Sequence, residues 1–372
     1  MSFALSARAA LPPSPPCPAP DAWDAPLLRA GRRSLAALAG PLDEADPGGL
    51  VSGPSRLLCG SLGLVSQLCY AAGGGRELAD DVALAGAHLA LLTKLDDEVI
   101  DAPAFHGAGR GPGRAALRDK VLAHLEPTRR SLRLRRPASA EPRARFAALL
   151  GARLAALSAS PGRLAHLLDV VEDGFRVQAD AVAILSAPPG AVSLDEVAAV
   201  TARISGAWLL MIALCGSLPA DARPPSAPAE ALFDAWGWHV QRADALCDLA
   251  KDLSDGLHSS LPLRLLWARD PALCRRAIAA GPAEVYRRLG ELALDRDCLP
   301  EPGELEALAA DANGLGHLPS LLRWVHGMLA HRYARHPLAR PSAGASAGGA
   351  ATFDRFVAGL ASAARGAPCS AR

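Results

Sequence analysis

Apolar residues recur at three- and four-residue steps along most of the 372-residue chain, the period of helices buried on one face. That period predicts helices over Ser55–Ala72, Glu77–Asp101, Phe146–Leu157 and Pro161–Leu185, with further ones over 271–297 and 303–334. A helix around Ala25–Ala39 and a last one over Thr352–Arg365 fit the same pattern. Gly73-Gly74-Gly75 ends the first of the long segments. Ser193-Leu194-Asp195-Glu196 reads as a capping box opening a helix that runs to about Leu218. A proline-rich turn, Asp221–Pro228, then leads into a long helix through Trp236 and beyond Asp252. No stretch alternates with the period of two expected of a strand, and no internal repeat is found. The prediction is an all-α protein: a single-domain helical bundle around a central apolar cavity.

Composition narrows this reading. Half of the residues are hydrophobic, enough for a large core in one domain over 22–336. Residues 1–21, rich in proline, are expected to be disordered, and 337–372 to be a flexible linker with a terminal helix. A net charge of +1 gives no general attraction to nucleic acid. The seven arginines between Arg129 and Arg145 read as a solvated helix end and loop, since Pro127, Pro137 and Pro142 interrupt them and no aromatic residues interleave. Eight cysteines without a CxxC pair signal neither a zinc site nor a disulfide framework. Cys59, Cys69, Cys215 and Cys247 fall in apolar helical patterns as reduced core residues. Gly107–Gly113 imitates a phosphate-binding glycine loop, but no strand precedes it and Pro112 interrupts it, so a surface loop is expected. The N-terminus lacks the apolar run of a signal peptide, and Ala207–Leu218 is too short to span a bilayer. The expectation is a soluble cytoplasmic protein without an integral membrane segment, with peripheral membrane contact left open.

The candidate chemistry is acidic. Asp244, Asp248 and Asp252 stand at four-residue steps, so a helix stacks their carboxylates on one face. Like charges at that spacing cost helix stability. Lys251 and Arg242 flank the row and could neutralise part of it, and taken alone a solvated acidic stripe accounts for it. A second cluster changes the weighting. Asp97 and Asp101 are again four apart, with Asp96 and Glu98 beside them, at the end of a strongly apolar segment. Two facing carboxylate clusters suit Mg²⁺, with Mn²⁺ as a substitute. Mg²⁺ takes one or two carboxylates and completes its shell with water and substrate phosphates. The implied chemistry is binding or departure of a diphosphate. Arg203 and Lys251, with Lys94, are candidates for holding it. His326, His331 and His336, five apart, scatter around a helix and are expected as surface or core residues rather than metal ligands.

These residues also resemble a family. Gln241–Asp252, QRADALCDLAKD, is similar to the second aspartate motif of the squalene/phytoene synthase superfamily, roughly Q-x-x-N-x-x-x-D-x-x-x-D. Gln241, Asp248 and Asp252 match, Asp244 stands where Asn is common, and Leu261-Pro262 closes the motif. Arg203, Gly206, Leu210 and Met211 resemble the R-V-A-G-x-x-G-L-M helix, Asp97–Asp101 the first D-x-x-x-D, and Asp173-Gly174-Phe175 a weaker Glu/Asp-Gly-Met echo. The family's early Ser-Phe phosphate motif has no match, although Ser55 and Arg56 could substitute. The resemblance covers about residues 85–265 and implies the isoprenoid synthase fold. It implies a Mg²⁺-dependent enzyme acting on a prenyl diphosphate, with Asp96, Asp97, Asp101, Asp244, Asp248 and Asp252 around the metal. Asp97, Asp101, Asp248 and Asp252 would be catalytic, and Arg203, Lys251, Gln241, Phe175 and Trp208 would line the substrate. For Phe175 and Trp208 ordinary core packing is the simpler reading.

The departures bear on the reaction. Val200 and Ala202 stand where head-to-head synthases carry Tyr or His, and Gln178 stands where the family has Asp. The expected reaction is therefore ionisation of one prenyl diphosphate followed by cyclisation or rearrangement. Head-to-head condensation, prenyl transfer to another acceptor, and a non-catalytic binding relative are the alternatives.

Overall fold

Proline and capping residues set where the helices begin. The computed structural model describes residues 53–75, 80–102, 105 and 113–299, and beyond these 304, 308, 329, 333 and 336–338. The expected proline-rich N-terminus, the helices over 25–39 and 352–365, and most of 303–334 and of the 107–113 loop lie outside the described residues. The helices are α1 (Gly53–Ala72), α2 (Asp80–Ile100), α3 (Arg114–Leu134), α4 (Pro142–Leu157), α5 (Pro161–Leu185) and α6 (Leu194–Cys215). They continue as α7 (Ala227–Cys247), α8 (Leu249–Asp255), α9 (Leu261–Arg269), α10 (Pro271–Ala280), α11 (Pro282–Glu291) and α12 (Asp295–Cys298). One 3₁₀ turn, Pro189–Ala191, completes the elements, and the described residues contain no strand. The all-α expectation is met.

Ser160 caps α5 by accepting from the Arg163 amide at 3.3 Å, and Asp270 caps α10 by accepting from the Ala272 and Leu273 amides at 2.9 Å. The capping box before α6 is present in both directions. Ser193 Oγ accepts from the Glu196 amide at 3.1 Å, and Glu196 Oε2 accepts from the Ser193 amide at 2.8 Å.

Three expectations are corrected. Pro127 does not end its helix: α3 runs through it. Ion pairs to α5 flank the proline on both sides, Arg118 to Asp180 at 2.5 Å, Arg129 to Glu172 at 2.9 Å and Arg133 to Asp169 at 2.8 Å. The single helix expected over 271–297 is three, broken at Gly281 (φ 103°) and Ala293 (φ 55°), with Pro282 beginning α11. The helix through the acidic row is interrupted at Asp248, which takes φ −95° and ψ 3° between α7 and α8.

Helix α6 is the centre of the bundle, packed against α1, α2, α5, α7 and α9. By length and composition it is the one helix among the described residues that could cross a membrane, yet it is largely buried by its neighbours. Its contact with α7 is unusually close. A Cβ on Gly237 would meet Gly206 Cα at 2.5 Å and the Ala202 carbonyl at 2.8 Å, so only glycine fits. The main core joins α1 to α7, and a second apolar cluster, including Tyr286 and Tyr333, covers the far side of α7. Cys59, Cys215 and Cys247 are buried and Cys69 is half-buried, and none of the four is in a disulfide, as expected.

His88 sits in the α2–α4 interface. It stacks edge-on against Phe146 at 5.3 Å and lies 3.1 Å from Arg153. Burial, then the Arg153 charge, lower its pKa from 6.5 to about 4. The unfolded chain therefore takes up a proton near pH 6.5 that the folded state refuses until about pH 4, so this residue costs stability as pH falls through that window. Between pH 7 and pH 5 the wild type is expected to lose about 2 kcal/mol more than His88→Gln. Parallel urea titrations of both proteins at the two pH values would show it, and equal losses would refute it.

Candidate active site

The acidic row and the end of α2 meet. Lys251, on α8, donates to Asp101 Oδ2 at 2.9 Å and pairs with Asp255, one turn on, at 2.9 Å. This bridge spans 150 residues of sequence and joins the two acidic segments. Lys94 sits one turn below, 2.5 Å from Asp97 and 3.4 Å from Glu98. Gln178, from α5, donates to Asp97 Oδ1 at 3.3 Å. The residue that departs from the family pattern thus contacts the first aspartate of the α2 pair.

Electrostatics show how crowded the charges are. Burial, then the neighbouring Asp248 and Asp244 charges, push Asp252 well above the usual carboxylate range. Asp101 acts in the same direction on it from across the site, while Lys251 opposes. Burial and then Asp97 raise Asp101 to about 6, against the pull of Lys251 and Lys94. Burial alone would depress both lysines, but the carboxylates outweigh it. Asp97 and Glu98 hold Lys94 above its ordinary value, and Asp101 and Asp255 do the same for Lys251. Seven acids, Asp97, Glu98, Asp101, Asp244, Asp248, Asp252 and Asp255, share the locality with these two lysines.

The interruption at Asp248 falls in the middle of the row. Backbone bonds survive on both sides, from the Asp248 amide to the Asp244 carbonyl and from the Asp252 amide to the Asp248 carbonyl, each 2.8 Å. Asp248 itself occupies the sparsely allowed bridge region of the backbone map, a region where active-site residues recur. Upstream, Gln241 accepts from Ser205 Oγ, which ties α7 to α6 one turn before Asp244.

Other expected site residues lie elsewhere. Asp96 is fully buried on another side of α2, where it accepts from Arg143 at 3.0 Å and Thr128 at 3.3 Å, with His124 at 3.5 Å. Adjacent helical residues point about 100° apart, so Asp97 and Asp96 serve different faces. Asp96 is accordingly removed from the metal set. Arg242 does not neutralise the row. It is buried on the opposite side of α7, pairing with Glu304 and lying 3.0 Å from His239. Phe175 is 2% exposed within the main core, which is ordinary packing. Trp208 donates from Nε1 to Thr93 Oγ1 at 2.7 Å, fastening α6 to α2 one turn before Asp97. Arg203 is exposed, bonds Asp173 at 2.9 Å, and favours the charged form of Asp234 against burial. The side chains of Ser55 and Arg56 lie outside the described residues.

Sequence reasoning missed Asp255 and Asp234. Asp255 stands four residues after Lys251, the helical ion-pair spacing, and could have been found from it. Asp234 shows no such pattern, because its neighbours Arg203 and Asp173 come from other helices.

Among the described residues, no three carboxylate, histidine or cysteine side chains converge as a ready-made metal cage. The donor set is carboxylate oxygen throughout, which suits a hard cation. Mg²⁺ asks for one or two such ligands with water and phosphate, rather than an all-protein cage, so the residues present fit it.

No protein-family model matches the chain, and no curated protein matches it. Among solved structures, it is similar to a geranylgeranyl pyrophosphate synthase from Lactobacillus brevis ATCC 367. The two share 14% identity over 90% of this chain and 95% of that one, at a TM-score of 0.39. It is also similar to a polyprenyl synthase from Caulobacter crescentus CB15 complexed with calcium and isoprenyl diphosphate, 19% identical over 86% and 94% of the two chains, TM-score 0.39. Likeness at this level transfers no residue role and no activity, and the geometry above stands without it.

Proposed function

We propose that the chain is a Mg²⁺-dependent isoprenoid synthase that ionises one prenyl diphosphate and cyclises or rearranges the resulting cation. The observation that carries this reading is the Lys251–Asp101 bridge, which sets the end of α2 against the interrupted acidic row of α7 and α8. The neighbouring carboxylates raise the pKa of Asp101 and Asp252, an arrangement that favours added positive charge. A non-catalytic relative would gain nothing from retaining them. The sequence resemblance points the same way.

In this reading Asp97, Asp101, Asp248 and Asp252 would hold the metal with Asp244, and the bound metal supplies charge neutralisation of the departing diphosphate. Arg203 is exposed and can turn from Asp173 to grip a phosphate with its two-pronged guanidinium. Lys251 and Lys94, fully protonated, add point charges beside it. The C–O bond then breaks with its electron pair leaving on the diphosphate, and an allylic cation remains among apolar side chains of the bundle. Gln178 orients Asp97 through its amide and carries no proton that titrates. Val200, which is buried, and Ala202 offer no exchangeable proton. At these two positions the chain lacks the Tyr or His that would carry the proton of a head-to-head coupling. A single-substrate cyclisation needs none, because the released diphosphate can accept the final proton.

Incubation with C10, C15, C20 and C25 prenyl diphosphates and Mg²⁺, read by mass spectrometry, tests the reaction. A cyclic or rearranged product with the substrate's carbon number, formed without NADPH, is expected. A product of doubled carbon number would establish condensation instead.

A further inference from the structure

We propose that the seam between the end of α5 and the start of α9 binds one small inorganic anion of halide size, held by Arg264, Ser260 and Ser186. This site is separate from the acidic cluster and independent of the reaction proposed above.

The seam holds a surplus of buried donors. Arg264, on the second turn of α9, is 7% exposed. Its Nη1 donates to the Pro189 carbonyl, but its buried Nε has no partner. Ser260 is the residue preceding α9, yet its hydroxyl makes no capping bond, and its Oγ is buried without a partner. Ser186 Oγ, just beyond α5, is buried without a partner as well. Backbone bonds lay these segments together. The Ser259 amide donates to the Leu185 carbonyl at 2.9 Å, and Ser259 Oγ donates to the Ala187 carbonyl at 2.6 Å. With the Arg264–Pro189 bond, residues 185–189 are fixed across 259–264, and the Leu185, Ala187, Pro189 and Ser260 carbonyls are already engaged. The first turn of α9 adds the Leu261 and Leu263 amides, which have no acceptor within the helix, Pro262 having no N–H and the Arg264 amide donating to the Ser260 carbonyl at 3.0 Å.

Charge separates an anion from a water molecule. Arg264 makes no ion pair among the described residues. The two groups whose fields support its charge do not neutralise it. Burial pushes the Cys274 thiol up to about 11, which leaves it uncharged, and Glu196 is engaged by Arg114 at 3.0 Å. Burial lowers the Arg264 pKa, and the opposing fields of Cys274 and Glu196 do not cancel it. A water could satisfy the donors but would leave a buried charge uncompensated, which is costly. With Ser259 and Ser260 buried, the seam suits an ion that sheds its hydration and needs little room. The anion would fasten the start of α9, the segment immediately after the acidic row, to the end of α5.

The test uses the full chain dialysed into sodium gluconate. Chloride or bromide then replaces gluconate at fixed ionic strength while the melting temperature is followed. A saturable rise with either halide is expected, with the apparent affinity about ten-fold weaker, or lost, in Arg264→Gln and Ser260→Ala. Should Arg264→Gln fail to fold, Ser260→Ala and a bromide-grown crystal of the wild type still decide. The crystal should show anomalous density within hydrogen-bonding distance of Arg264 Nε and Ser260 Oγ. Equal melting temperatures in gluconate and halide, or a water at that position in the bromide crystal, would overturn the proposal.

Discussion

Asp248→Asn is expected to reduce diphosphate release by about 10²-fold or more while leaving the metal-free protein as stable as the wild type, or slightly more stable. The two effects have one cause. In the folded chain Asp248 raises the pKa of Asp252, a repulsion that a bound cation would convert into attraction. Without the cation, removing it relieves a like-charge pair at a four-residue step, worth about 0.5 kcal/mol in an isolated helix. Asparagine also tolerates the bridge conformation that position 248 adopts. Asp97→Asn should cost similar activity without the gain in stability, because Asp97 already has Lys94 at 2.5 Å and Gln178 at 3.3 Å. A coupled diphosphate assay and calorimetry on the same preparations check both halves. Wild-type rates in Asp248→Asn would remove the acidic row from the chemistry.

Gly237→Ala is expected to destabilise the fold by about 3 kcal/mol and to abolish activity with it. The added methyl has no escape. It would strike Gly206 and the Ala202 carbonyl, all backbone of the central helix, so α7 must move rather than a side chain. Gln241 and Asp244 follow within two turns on α7, and a shift there displaces them from the end of α2. Gly174→Ala is the control, since the Cβ there would meet only Met211 Cε at 3.4 Å and Ala207 Cβ at 3.9 Å. Denaturant titration should separate the two variants clearly. Equal, small losses would mean that the α6–α7 contact is looser than it stands.

How far the sequence could be read depends on whether a feature is local. The spacing of Asp244, Asp248 and Asp252 and the capping box at Ser193 each depend on a few neighbouring residues, so the helix bounds and the acidic row were legible. The Gly281-Pro282 break is equally local, but the apolar period runs across it and masks it. Asp96 and Asp97 could not be told apart in sequence. Which of two adjacent acids faces the core depends on Arg143, 47 residues away, and on Thr128. The interruption at Asp248 was hidden too, because the propensities of Ala245, Leu246, Leu249 and Ala250 all favour an unbroken helix. That the two acidic segments face each other is an expectation drawn from their matching four-residue spacing and supported by the resemblance. Its physical expression, the Lys251–Asp101 bridge, is visible only once the chain is folded.

The most direct measurement of the central claim is inorganic diphosphate released from a prenyl diphosphate by the purified protein, with and without divalent metal. The account predicts steady release with Mg²⁺, release at a comparable order with Mn²⁺, and none in excess EDTA. No release with either metal across the C10 to C25 substrates, or release undiminished by EDTA, would contradict it.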